Sequence, residues 1–212
     1  MRGPENLELA GARAPDGTPV PVRELRGFSI TRLIARKVLR AGGWTISGDV
    51  PDLPKMVCIL GKHTSNWDGV WCVALMFAMD DRPVGWILKD VAYKFPFRTV
   101  LRWLGAIPVN RRAPEGFVGQ ASRKFVEGNS SILCIAPEGT RRKAERWKTG
   151  FYRIAQESNA PIILGFLDYE RRVGGVGPLI WPTGDYDADM RRIADFYRDI
   201  VPRVPDYASE IR

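Results

Sequence analysis

Short apolar runs of β-like character recur along this chain and alternate with longer stretches of helical character. That alternation limits the fold more than any other feature. The runs are Met56 to Leu60, Val84 to Leu88, Ala106 to Val109, Ser131 to Ala136 and Pro161 to Leu167. Between and after them, Gly69 to Met79, Glu115 to Glu127 and Gly150 to Ser158 read as helices, and Tyr186 to Ile200 as a closing helix. Strands that alternate with helices predict an α/β sandwich. A length of 212 residues with 45% hydrophobic content suits one domain with a sizeable core, here residues 26–212. Residues 1–25, rich in Pro, Gly and charge, read as a poorly ordered or surface-draped arm.

After the first of these strands, Lys62-His63-Thr64-Ser65-Asn66-Trp67-Asp68-Gly69 holds the only histidine of the chain, with a carboxylate five positions on. Neutral imidazole is suited to taking and returning a proton near pH 7, and a carboxylate on its second nitrogen fixes the tautomer. On one helix that separation turns two side chains about 140° apart, and on one strand it puts them on opposite faces. His63 and Asp68 therefore meet only across a bend. Gly61 supplies one, with Asp68 at the start of the helix that follows. The plainer account is a helix cap beside a loop histidine.

Ser131 to Ala136 likewise ends abruptly, in Pro137-Glu138-Gly139-Thr140-Arg141-Arg142. In an α/β sheet, loops leaving the carboxyl ends of strands gather at one rim, where ligands bind, so the two motifs are placed to face each other. Gly139 lets backbone approach a ligand closely, Thr140 offers a hydroxyl, and Arg141 or Arg142 a planar fork for phosphate oxygens. A Pro-Gly turn with solvated arginines is the plainer account. Lys148 extends that surface or merely belongs to a helix-start turn. Asp168, Tyr169 and Glu170 read as a polar rim.

With these motifs the chain resembles the glycerolipid acyltransferases typified by 1-acylglycerol-3-phosphate acyltransferase. The family's His and Asp, separated by four residues, match His63 and Asp68, with Ser65 two places after the His. Its glycine-to-arginine block matches Gly105-Ala106-Ile107-Pro108-Val109-Asn110-Arg111, its Pro-Glu-Gly-Thr-Arg block matches Pro137 to Arg141, and its final block matches Pro161-Ile162-Ile163. Four blocks in order are far more specific than one. Lys62, Pro108 and Ala136 depart from the family's common Asn, aromatic and Phe. The resemblance implies a single-domain α/β sandwich of the glycerol-3-phosphate acyltransferase type, with a mixed, largely parallel central sheet flanked by helices. It also implies acyl transfer from acyl-CoA or acyl carrier protein to a lysophospholipid hydroxyl, foremost that of 1-acylglycerol-3-phosphate, giving phosphatidate. His63 is then the general base and Asp68 its support, while Arg111, Glu138, Gly139, Thr140 and Arg141 bind substrate, and no cofactor is needed. The rival is an acyl-thioester hydrolase in which His63 activates water. No Gly-x-Ser-x-Gly elbow is present.

A net charge of +8 and a pI near 9.7 imply an acidic partner. Within residues 28–41, Ile30, Leu33, Ile34, Val38 and Ala41 follow helical spacing while Arg32, Arg36, Lys37 and Arg40 enrich the rest. This reads as a basic amphipathic helix, docked either on the core or on an anionic membrane, and a lipid substrate favours the membrane. The sequence has no run of 18 apolar residues and no secretory apolar segment. The expectation is a cytoplasmic protein, peripheral on the inner face of the membrane. Cys58, Cys72 and Cys134 lack metal or disulfide spacing and read as reduced, buried thiols, and a single His gives a metal site little support. Trp71, Trp86 and Trp103 are expected in the core or an acyl pocket. No nucleic-acid module accompanies them, so nucleic acid is not an expected partner.

Overall fold

The computed structural model describes residues 12–25, 27–89, 98–109 and 116–211. Its described strands are β1 (Thr45–Ser47), β2 (Met56–Leu60), β3 (Val84–Lys89), β4 (Ala106–Val109), β5 (Ile132–Ile135), β6 (Ile162–Asp168) and β7 (Val173–Ile180). The helices are α1 (Ile30–Ala41), α2 (Asn66–Met79), α3 (Arg98–Trp103), α4 (Gly116–Glu127), α5 (Gly150–Glu157) and α6 (Tyr186–Tyr197). The strands form one sheet in the order β1-β7-β6-β2-β5-β3-β4, every neighbouring pair parallel except β6 with β7. The chain is thus an α/β sandwich on a mixed, largely parallel sheet.

Strands β2, β5 and β6 are buried almost throughout, as central parallel strands covered on both faces must be, and this is why they read as unbroken apolar runs. Their side chains alternate between two cores. Val57, Ile59, Leu133 and Leu164 pack with Phe125 of α4, Phe151 of α5 and Ile193 and Tyr197 of α6. On the other face Met56, Cys58, Cys134 and Ile163 pack under α2, which α1 covers through Ala35 and Leu39. The three cysteines are buried and free.

Several elements depart from the sequence reading. Helix α2 begins at Asn66, three residues before Gly69, so Asp68 lies inside its first turn. Helix α6 ends at Tyr197, short of Ile200. Strand β7 went unanticipated because Gly174, Gly175 and Gly177 depress its β propensity. The glycines have a packing cause: a Cβ on Gly175 would lie 1.8 Å from the Ser47 carbonyl oxygen, so glycine there lets β1 pair with β7. Trp103, expected inside, is 69% exposed and stacks on Phe77 instead. In the described part of the arm, Val20 is buried, and Arg23 bridges Asp52 and Asp81 at 2.9 Å each.

Helix α1 turns its most apolar stripe outward. Ile30, Leu33, Ile34 and Val38 are exposed, and the buried pair Ala35 and Leu39 comes from the opposite face. A helical period shows that two faces differ but does not say which one meets the core.

Candidate active site

Strands β2 and β5 lie side by side in parallel, with Ile59 opposite Ile135, so the loops after them leave the same rim together. The first loop turns sharply because Gly61 abuts Trp147 and Tyr197, and Lys62 takes a left-handed φ of 58°. That conformation costs a non-glycine residue roughly 1–2 kcal/mol. Lys62 is held by its Nζ, which donates to the Ile200 carbonyl at 2.6 Å and the Arg198 carbonyl at 3.3 Å, just beyond α6. The Asn that the family commonly places there tolerates this backbone more easily, and here the tether of a longer side chain does the same task.

The turn delivers His63 to the start of α2. Ser65 caps that helix, its Oγ accepting the Trp67 N–H at 3.2 Å. Asp68 completes a capping box by accepting the Ser65 N–H at 2.8 Å. The same Asp68 Oδ2 accepts the Thr64 N–H at 2.8 Å and lies 3.1 Å from His63 Nδ1, while Oδ1 accepts the Tyr169 hydroxyl at 2.6 Å. Capping and pairing with histidine, which the sequence left as alternatives, therefore coexist in one carboxylate. Burial opposes ionisation of Asp68, but hydrogen bonds from His63, Tyr169 and the Ser65 N–H outweigh it and hold the carboxyl below its ordinary range. Asp68 is a buried anion at neutral pH, directed at one nitrogen of the histidine.

From the second loop, Glu138 turns inward. Its Oε1 accepts the His63 N–H at 3.2 Å, and its buried Oε2 has no hydrogen-bond partner among the described residues. Burial pushes this carboxyl up to about 7, so it exchanges its proton near neutrality beside His63. Gly139 has a φ of 63°, and a Cβ there would lie 2.9 Å from Lys148 Nζ. Glycine takes this left-handed backbone without strain and leaves room for the Lys148 amine. Thr140 and Arg141 face solvent, with Thr140 Oγ1 accepting the Arg142 N–H at 3.3 Å. A cavity of about 170 Å³ opens beside this loop, lined by Phe117, Ile135, Ala136, Gly139, Lys148 and Phe151. Lys148 thus stands next to Gly139, a placement its sequence position left open. Arg111 lies outside the described residues, although β4, which precedes it, ends at this rim.

Sequence reading missed one partner. Tyr169 is no mere rim residue: it reaches Asp68 from 101 positions away, at the end of β6, the strand flanking β2 opposite β5. Sheet order was the signal needed, and a single sequence does not print it. Asp168, read with it as rim, is fully buried and bound by Arg171 at 2.7 Å.

The family model for Acyltransferase matches residues 45–163, more than half of the chain, and takes in both loops while stopping before Tyr169. No curated protein matches the chain strongly enough to count as a relative. With the sandwich fold and two facing loops already in place, the match is decisive: the chain belongs to the Acyltransferase family, which includes the 1-acylglycerol-3-phosphate acyltransferases, and is an enzyme of the acyl-transferring class.

Proposed function

We propose that the enzyme moves a fatty acyl group from an acyl thioester to the hydroxyl of a lysophospholipid, foremost 1-acylglycerol-3-phosphate, giving phosphatidate. One observation carries this reading: His63 Nδ1 is held 3.1 Å from a buried, ionised carboxylate, which leaves Nε2 as the nitrogen that takes a proton. In the proposed reaction Nε2 removes the proton of the acceptor hydroxyl as its oxygen attacks the thioester carbonyl carbon. Asp68 supports the imidazolium. The tetrahedral intermediate then collapses, the carbon–sulfur bond breaks, and His63 returns the proton to the departing thiolate. Neither a covalent acyl-enzyme nor a cofactor takes part. Thr140 and Arg141, exposed at the rim, suit the acceptor phosphate together with Arg111, while Glu138 and Gly139 hold the loop against the histidine. The donor is acyl-CoA or acyl carrier protein.

Thiol release from a long-chain acyl-CoA, measured with and without lysophosphatidate, tests the reading. Release that requires the acceptor is expected. Release at the same rate without it would replace the transferase with a thioester hydrolase.

Such an acceptor resides in a bilayer, and we further propose that the enzyme works on the anionic inner face of a membrane. Support comes from α1, whose outward stripe of Ile30, Leu33, Ile34 and Val38 is joined by exposed Phe28 and flanked by Arg36 and Arg40. On α2, Trp67 and Val70 are also exposed, the former immediately before Asp68. No helix among the described residues is long and apolar enough to cross a membrane. Ile34→Asp combined with Val38→Asp is expected to weaken binding to anionic vesicles at low salt about tenfold or more. Sedimentation with the vesicles checks this, and undiminished binding would remove α1 from the contact.

A further inference from the structure

Asp68 Oδ2 is crowded with donors, the His63 ring and the Thr64 and Ser65 N–H groups, whereas Oδ1 has Tyr169 alone among the described residues. Without that hydroxyl a buried carboxylate oxygen is left bare, and the carboxylate is held against rotation from its Oδ2 side alone. The Tyr169 ring is itself fixed. It meets Trp44 edge-on at 5.0 Å, and the Arg203 guanidinium lies over both Tyr169 and Trp67, at 5.9 and 5.5 Å. The segment that carries Arg203 is strapped across the same place. The Tyr169 N–H donates to the Val201 carbonyl at 2.9 Å, and the Val204 N–H donates to Thr64 Oγ1 at 3.1 Å. Tyr169, Val201, Arg203 and Val204 all lie beyond the stretch that matches the family.

We propose that Tyr169 is a positioning residue for the His63–Asp68 pair: its hydroxyl fixes the rotation of the Asp68 carboxylate so that Oδ2 faces His63 Nδ1, and Arg203 holds the phenol in place. The inference rests on the proposed role of that pair as base and support. Burial and the Asp68 charge both raise the phenol above its ordinary range, so it stays protonated and remains a donor throughout the working pH range. The titratable and charged groups around Asp68 are His63, Tyr169, Glu138 beneath the His63 backbone, Cys72 on α2, and Arg203 beyond the phenol ring.

Tyr169→Phe keeps the ring and removes only the hydroxyl. Turnover is expected to fall about tenfold, the usual weight of a hydrogen bond to a charged group, with KM for the donor within about twofold of wild type. The acid side of the pH–rate profile, where the base takes up its proton, is expected to move to higher pH, because an Asp68 carboxylate with one donor fewer turns more of its charge on the imidazolium. A second readout needs no substrate. His63 is the only histidine, so imidazole ¹⁵N spectra report this site alone, and Tyr169→Phe is expected to replace a single ring setting with several. A residue that served only packing would lower the melting temperature and leave the profile and spectrum in place. A folded Tyr169→Phe protein with an unchanged acid limb and imidazole spectrum would overturn the proposal. If the wild-type protein transferred no acyl group at all, the spectra would still decide the matter for Tyr169.

Discussion

Replacing His63 with alanine is expected to lower acyl transfer by about 10²- to 10⁴-fold, the usual weight of general acid–base catalysis. The fold is expected to survive, since the structural bond from this residue is its backbone N–H to Glu138, which alanine retains. Asp68 keeps its other three donors, from Thr64, Ser65 and Tyr169, so the α2 cap stays intact. Single-turnover transfer measured alongside a melting curve separates the two effects. Near-normal turnover by the folded variant would end the role assigned to His63.

Asp68→Asn is expected to cost about 10²-fold in turnover while leaving the protein folded. The asparagine carbonyl can occupy the Oδ2 position and accept from Thr64, Ser65 and the His63 ring, and its amide can face the Tyr169 hydroxyl, which then turns to accept. What disappears is the negative charge that supports an imidazolium. Asp68→Ala also removes its half of the capping box, the bond to the Ser65 N–H, while the Ser65 Oγ cap stays, at a cost to stability of about 1 kcal/mol. Comparing the two variants by kinetics and melting therefore divides the electrostatic role from the structural one. The pH dependence of stability has a definite sign. Asp68 ionises more readily when folded than its unfolded value of about 4, so its contribution is complete above that value and is lost as pH falls through the lower folded one. The asparagine variant lacks this acid-side loss.

The sequence exposed what burial on both faces imposes. Strands β2, β5 and β6 read directly because an apolar run bounded by Gly or Pro has few other uses in a chain of this size, and the two rim loops followed from where those runs stop. The His63–Asp68 spacing required a bend, and Lys62 supplies it in a left-handed conformation that nothing in its side chain announces. Strand β7 stayed hidden because its glycines serve close backbone approach to β1 rather than strand propensity. The direction of α1 escaped because the choice of face belongs to tertiary contact: Ala35 and Leu39, less conspicuous than the stripe opposite, are what fit against α2. Tyr169 was invisible for a similar reason. Its partner is fixed by β6 lying next to β2, and adjacency in a sheet is not adjacency in a chain.

The pairing of β2 with β5 also times the appearance of activity. His63 and Glu138 are 75 positions apart and meet only when Ile59 stands opposite Ile135. Moving β5 by one residue would turn its alternating side chains to the opposite face and carry the loop out of place. A chain emerging from the ribosome thus has its histidine long before it has a site, and Tyr169 and Arg203 arrive later still. Half-made molecules lack the assembled site, and on refolding the return of activity is expected to report the last and longest-range contacts rather than the first helices.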